Sequence, residues 1–267
     1  MIEIALCLAI IGFALLSILL VLPSGMNTQR DTRQETIIGQ DASVLLEAIR
    51  SGARGMDELT NYVDAITNYW TEYNDVGQAT RAGVNGYTYT NASINNSSVP
   101  SMALTDGLRI VGLLSTPEFT EGPGDGFEGA PMSDTFGKSY TSNHVVAYVR
   151  SISGLAAEKP PQNNDIMRSD TFTYRLLCVN APLAVDTNSV WGDSPAYSAY
   201  NHELAANLRE LRLMFMWPQL PDGHVGNFRQ TFRATIAGQL TVTNYNWWFP
   251  GIRDLYFYEP QSFTNAP

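Results

Sequence analysis

The chain has 267 residues, of which 44% are hydrophobic and 16% charged, and its net charge is -10 at pH 7. The hydrophobic share excludes wholesale disorder. The charged share lies below the roughly 25% of an average domain, which points in the same direction. Electrostatic binding of nucleic acid is also excluded, because neutralising phosphates requires clustered lysine and arginine, and this acidic chain has no basic run.

The first predicted element is an apolar helix over residues 4–22, IALCLAIIGFALLSILLVL. Its 19 uncharged residues match the roughly 20 that are needed to span a bilayer core. A secretory signal peptide would begin with basic residues and have a shorter apolar run. A simple membrane anchor has the same length and composition, so this alternative stays open.

Glu3 stands at the edge of this apolar run. A carboxylate at the centre of a membrane helix costs about 2.5–3.5 kcal/mol, and ionisable residues in such helices usually mark a function. The alternative interpretation is that Glu3 lies among lipid headgroups, where its cost is small.

Residues 1–12, MIEIALCLAIIG, resemble the start of type IV pilins and of type II secretion pseudopilins. In that family a glutamate is followed by apolar residues and by Ala-Ile-Ile-Gly, with the glycine nine residues after the glutamate, as Glu3 and Gly12 are here. This resemblance covers roughly the first 25 residues directly. Residues 209–233 also resemble large pilin-like proteins of Verrucomicrobia and their relatives.

The resemblance implies an α+β fold, with a long N-terminal hydrophobic helix followed by a head that contains an antiparallel β-sheet. It implies a precursor in the bacterial inner membrane that a prepilin peptidase cleaves, an N-terminus that is often methylated, and an extracellular filament made of copies of the chain. Four residues usually precede the glutamate in the family, whereas two precede Glu3, so either two residues are missing or processing differs.

Four residues are expected to act in assembly, namely Met1, Glu3, Gly12 and Pro23. The resemblance implies that Glu3 pairs with the N-terminal ammonium of a neighbour, and an unpaired carboxylate among packed apolar helices would be costly. Gly12 weakens the helix locally, and Pro23 is expected to bend or end it.

Three divisions are predicted: a membrane and filament-core helix at residues 1–25, an amphipathic continuation with a second helix at 26–82, and a β-rich head at 83–267. The continuation is indicated by apolar residues at helical spacing, which are Ile38, Ala42, Leu45, Ala48 and Ile49, and residues 52–55 are expected to end it. The second helix is indicated by Met56, Leu59, Val63, Ile66 and Trp70, interpreted as core packing rather than as a docking face.

In the head, Asn85 and Gly86 are expected to form a turn. Short strands are predicted at residues 108–114, 145–152, 172–179 and 255–258. The clearest signal is a hairpin in which Leu211, Leu213, Phe215 and Trp217 alternate with polar residues or methionine, and a second alternating run follows at residues 228–236.

Candidate chemistry in the head is sparse. Oxygen ligands for calcium are offered by Glu121, Asp125, Glu128 and Asp134, although their spacing is not that of an EF-hand and a solvated acidic loop is the preferred interpretation. Residues 124–129 match the letters of a dinucleotide fingerprint without its βαβ context. Glycosylation-type triplets begin at Asn91, Asn95 and Asn96.

The three histidines, His144, His202 and His224, are far apart in sequence, and none has a second ligand at metal-binding spacing. Cys7 lies within the apolar run, so a disulfide with Cys178 is not expected. No catalytic arrangement is evident, and we therefore expect neither an enzyme nor a resident cofactor. The expectation is a filament subunit, with a minor pseudopilin or a non-polymerising membrane-anchored binding protein, or even a hydrolase, as alternatives.

Overall fold

The computed structural model describes residues 2–52, 56–88, 104, 106–122, 138–153, 172–183, 204, 207–220, 223–243 and 254–260. Its helices are α1 (Ile2–Ser51) and α2 (Gly107–Leu114), with a 3-10 helix at Asp57–Asn61. Its strands are β1 (Val63–Tyr73), β2 (Ala79–Thr88), β3 (Phe119–Glu121), β4 (Tyr140–Arg150), β5 (Thr173–Pro182), β6 (Leu208–Gln219), β7 (Val225–Ala237), β8 (Gln239–Thr243) and β9 (Leu255–Glu259). The expected α+β class, with a long N-terminal helix followed by an antiparallel sheet, is confirmed.

The main sheet of the described residues has the order β2-β1-β4-β5-β6-β7, with β3 added beside β4. All its strand pairs are antiparallel. The strands β8 and β9 form a separate antiparallel pair. Both helices contact the main sheet, and β9 contacts both helices.

The predicted hairpin is confirmed as β6 and β7, in which Leu211 lies opposite Ala234 and Leu213 opposite Phe232. The half-buried face predicted from the alternation is present. The core-facing residues of β6 are buried and the residues between them are half-buried; the buried ones are Leu211, Leu213, Phe215 and Trp217. The strands predicted near 145–152, 172–179 and 255–258 are also present, as β4, β5 and β9.

The C-terminal half of α1 lies in the same core as the sheet. Its predicted apolar stripe is confirmed, because Ile38, Ala42, Leu45, Ala48 and Ile49 are all fully buried. The helix ends where expected: Gly52 has φ = 69°, and a Cβ atom at that position would lie 2.7 Å from the carbonyl oxygen of Tyr258. Glycine is therefore required there both for the left-handed backbone and for the close approach of β9.

The second helix predicted within residues 26–82 is wrong. Residues 57–61 form the 3-10 helix, and Val63–Tyr73 is the strand β1. A register shift between Val63 and Ala65 explains the error, because this bulge places two residues between the buried Val63 and Ile66, whereas Asn68 and Trp70 follow in strict alternation. The resulting spacing of buried residues resembles that of a helix. The β-rich region therefore begins at β1 rather than at residue 83.

The turn predicted at Asn85 and Gly86 is also wrong, since both residues lie within β2 opposite Asn68 and Thr67. The turn is at residues 74–78 instead. There the Asn74 side chain accepts from the amides of Val76 (3.2 Å) and Gln78 (2.7 Å), and Gly77 has φ = 78°. An asparagine that binds its own backbone is as good a turn former as Asn-Gly.

The strand predicted at residues 108–114 is a helix, α2. The carboxylate of Asp106 accepts from the backbone N–H of Arg109 at 2.8 Å, which is an N-cap. Six of the eight residues of α2 are buried, so its short apolar run resembles that of a buried strand, and the capping aspartate is a signal that favours a helix.

The buried stripe of α1 predicts a large effect of Leu45→Ala. Because Leu45 is fully buried, we expect a loss of about 2–5 kcal/mol in the free energy of unfolding. Tryptophan fluorescence of the whole chain in mild detergent, recorded during thermal unfolding, measures the change. The exposed Ser43→Ala on the same helix is the control, for which a change within about 0.5 kcal/mol is expected. Equal effects of the two substitutions would contradict the packing of α1.

Candidate assembly helix and its attachment to the head

The apolar segment of α1, residues 4–22, is exposed on every side. The large hydrophobic side chains from Ile4 to Leu22 have exposed fractions between 53% and 76%, and none is covered by the head. This helix is long and apolar enough to cross a membrane, and it lies near the N-terminus. It is therefore compatible with a membrane anchor or a signal sequence.

Three of the four expected assembly residues lie on this exposed helix, while Met1 lies outside the described residues. Glu3 is exposed in the first turn of α1, where a carboxylate is favoured by the helix dipole. Gly12 has no atom within 4 Å of where a Cβ would stand, so its surface is open to another helix. Pro23 does not end the helix, because α1 continues through it to Ser51.

A polar stalk, residues 26–36, separates the apolar segment from the head. Its side chains are mostly exposed, and two threonine hydroxyls donate to carbonyls one turn earlier, Thr32 to Thr28 and Thr36 to Thr32, both at 2.9 Å. At about 1.5 Å per residue, the helix before residue 37 extends for about 50 Å. The apolar segment therefore stands well clear of the sheet.

Asp41 fastens α1 to the sheet. Its carboxylate is fully buried and accepts hydrogen bonds from the backbone amides of Ile152 (3.0 Å) and Ser153 (2.8 Å) and from the hydroxyl of Tyr174 (3.0 Å). These donors lie after β4 and within β5. Because they are fixed by the sheet, the carboxylate holds α1 at one position and one rotation on it.

The electrostatics of this contact follow from its burial. Burial raises the pKa of Asp41 above its ordinary value of 3.8, and hydrogen bonds from Ser153, Ile152 and Tyr174 oppose part of that rise. Burial and the nearby Asp41 carboxylate also raise the pKa of the Tyr174 phenol well above its ordinary value. The phenol therefore stays protonated and remains a donor to Asp41.

Sequence reasoning did not identify Asp41, although a signal was present. Asp41 is an acidic residue on the otherwise apolar stripe between Ile38 and Leu45. A carboxylate at such a position must be paired or fully hydrogen-bonded after folding, because an unsatisfied buried charge is very costly.

A second buried polar cluster joins α2 and β9 to β5. The Asn180 amide donates to the Ser115 carbonyl at 2.7 Å, and the Tyr258 hydroxyl donates to Asn180 at 2.5 Å. The Cys178 thiol donates to the Leu114 carbonyl at 3.0 Å, and burial raises the pKa of this thiol to about 12. Such a thiol is unreactive, so the cluster is structural.

The other predicted site residues do not come together in the described parts of the chain. Glu121 is half-buried in β3, while Asp125, Glu128 and Asp134 lie outside the described residues, as do His202 and the triplets at Asn91, Asn95 and Asn96. His144 and His224 are both exposed. Among the described residues, no group of three or more His, Cys, Asp or Glu side chains could hold a metal ion. Cys7 is exposed and Cys178 buried, and both are free thiols.

No protein-family profile matches the chain, and neither the curated proteins nor the solved structures contain a significant match. The features established directly are therefore the exposed apolar segment, the polar stalk and the attachment through Asp41.

The contact at Asp41 predicts that Asp41→Ala is strongly destabilising. The substitution leaves two half-buried amides and a buried phenol without their acceptor, and each unsatisfied buried group costs about 1–3 kcal/mol, so we expect a loss of about 3 kcal/mol. Thermal unfolding of the whole chain in mild detergent measures it. Glu47→Ala removes an exposed carboxylate from the same helix and serves as the matched control. If both variants unfolded at the wild-type temperature, this attachment would be refuted.

The raised pKa of Asp41 also predicts a pH dependence. Since the folded state binds this proton more tightly than the unfolded state, the contribution of Asp41 to stability is present below pH 3.8 and is lost as the pH rises through the folded pKa. Asp41→Asn should be less stable than the wild type and should lack this slope. Unfolding curves across that pH window measure both, and a variant with the wild-type slope would contradict the assignment.

Proposed function

We propose that the chain is a structural, non-catalytic subunit of a type IV pilus-like filament on the bacterial cell surface. The observation that carries the proposal is the division of α1 into an apolar segment that the head leaves uncovered and a C-terminal half that is buried in the head. A subunit that polymerises through its N-terminal helix requires both parts. The glutamate at position 3 and the glycine at position 12 support the same interpretation.

The proposed mechanism is an exchange of contacts. The precursor holds the apolar segment in the inner membrane, where a prepilin peptidase and the assembly machinery act on it. In the filament, copies of the same segment pack together and replace lipid. Lipid tails are as apolar as leucine, so hydrophobicity provides little of the driving force for this exchange.

Specific contacts must therefore stabilise the packed helices. Gly12 presents bare backbone on an open surface, which lets a neighbouring helix approach closely. Glu3 provides a charge that must be neutralised once lipid and water are excluded, and the N-terminal ammonium of a neighbouring copy would neutralise it. Together they would set the register between subunits.

The second candidate is a membrane-anchored binding protein that never polymerises. It is favoured by the length of the apolar segment, which matches a bilayer without any need for copies. In that case Glu3 would be dispensable and the head alone would be functional. A minor pseudopilin shares the helix with a major subunit and would be distinguished by low abundance in sheared surface material.

Glu3→Ala separates these candidates. We expect at least about tenfold fewer filaments in sheared surface material, since each 1.4 kcal/mol or so lost per contact changes an equilibrium tenfold. Negative-stain electron microscopy counts the filaments, and mass spectrometry identifies the chain in them. Glu35→Ala is the matched control, because it removes an exposed carboxylate from the stalk of the same helix. Equal filament yields from the two variants would refute the role of Glu3 in assembly, and the absence of filaments containing the chain, in the wild type as well, would favour the anchored protein.

A further inference from the structure

The face of the main sheet that points away from the helices carries an unusual charge. Along β5, β6 and β7 the residues between the buried core positions include four arginines, Arg175, Arg212, Arg229 and Arg233. We call this surface the arginine face. The only acidic residue in the described parts of these three strands is Glu210, although the chain as a whole has a net charge of -10.

The strand register arranges the arginines in two rows. Arg175 and Arg229 lie on either side of Met216, and Arg212 lies directly opposite Arg233. Between these rows the same face presents Leu177 opposite Met214, and both are half-buried. The result is a small apolar centre with cationic groups on two sides.

Two of these arginines are held in place by the fold. A guanidinium N–H of Arg175 donates to the carbonyl of Gly223 at 2.7 Å, and the same group lies 5.3 Å from the centre of the Tyr148 ring. Arg212 donates to Glu210 at 2.5 Å. This contact lowers the pKa of Glu210, so the carboxylate stays ionised and balances one of the four positive charges. Glu118, whose backbone N–H donates to the Asn180 carbonyl of β5, also attracts Arg212.

The other two arginines are available to a partner. Arg229 and Arg233 are exposed on β7, the last strand in the order of the described sheet. Arg233 reaches Glu210 only at 3.8 Å, and that carboxylate is already bound by Arg212. The arginine face therefore carries an excess of positive charge within a strongly acidic chain.

A complementary acidic pair lies next to β1, towards the other edge of the sheet. Asp57 and Glu58 are adjacent, exposed carboxylates in the 3-10 helix that leads into β1. Asp57 also accepts from the backbone N–H of Gly107 at 3.1 Å, and neither carboxylate forms an ion pair within the described residues. β1 and β7 are four strands apart in the sheet, which is about 19 Å at about 4.8 Å per strand. One copy cannot bring its own acidic pair onto its own arginine face.

We propose that the arginine face binds the Asp57–Glu58 turn of a second copy of this chain. Because the two surfaces differ, the contact is heterologous and can repeat from copy to copy. As a contact between filament subunits the inference rests on the proposed function, but it concerns the heads and not the apolar helices. Exposed charges at the edge of such a contact mainly provide specificity and make the contact sensitive to salt.

The test is self-association of the full-length chain in detergent micelles, which cover the apolar segment and leave the heads free to meet. Sedimentation velocity measures it for the wild type, for Arg229→Glu/Arg233→Glu and for Glu58→Arg. Each variant should associate at least about tenfold more weakly than the wild type, because like charges placed together oppose binding. Arg30→Glu makes the same kind of charge change in the exposed stalk and should leave the association unchanged.

Mixing provides the decisive comparison. In a mixture of Arg229→Glu/Arg233→Glu copies with Glu58→Arg copies, the two reversed surfaces have opposite sign, and the unaltered arginine face can also meet the unaltered turn. Association should therefore be stronger in the mixture than for either variant alone. Failure of the mixture to associate, or wild-type association of Arg229→Glu/Arg233→Glu, would overturn the proposal. Binding of the wild type to a sulfated polysaccharide without self-association would also overturn it in favour of an anionic polymer. The readout does not depend on Glu3 or on filaments in cells, so this inference and the proposed function can fail separately.

Discussion

The uncovered apolar segment of α1 is the feature on which the rest of the structure depends. Its large side chains are more than half exposed, and full burial of each would contribute about 1.5–3 kcal/mol. Such a helix cannot remain in water, and it must be covered by lipid or by other helices. The head provides neither, since its core is completed by the C-terminal half of the same helix.

That C-terminal half must therefore transmit any force or displacement between the helix and the head. Apolar stripes alone tolerate small shifts, because dispersion and burial are non-directional. The hydrogen bonds to the Asp41 carboxylate are directional, and their donors lie in the segment after β4 and on β5, so they fix the position of the helix on the sheet. The buried cluster around Asn180 acts in the same way on α2 and β9. The head is thus fixed to α1 as one unit, while the stalk places it clear of the apolar segment.

Sequence patterns were sufficient where one period dominated. The alternation from Leu211 to Trp217 predicted β6 correctly, and the stripe from Ile38 to Ile49 predicted the buried part of α1. Sequence patterns gave the wrong element at β1, where a bulge near Val63 produced a helix-like spacing of buried residues. They also gave the wrong element at α2, where most residues are apolar and buried. Asp41 was missed because a single acidic residue acquires its role only when distant strands supply the donors. The arginine face likewise depends on the strand register, which the sequence alone does not provide.

We propose that copies of the chain, rather than lipid, finally cover the apolar segment. Cells that produce the chain can be sheared, and the released material and the membranes can then be probed with an antibody against the head. We predict that most of the chain is recovered without detergent, in filaments that bind the antibody along their length under the electron microscope. Recovery of the chain solely from membranes, released by detergent and never in filaments, would refute assembly through the apolar segment.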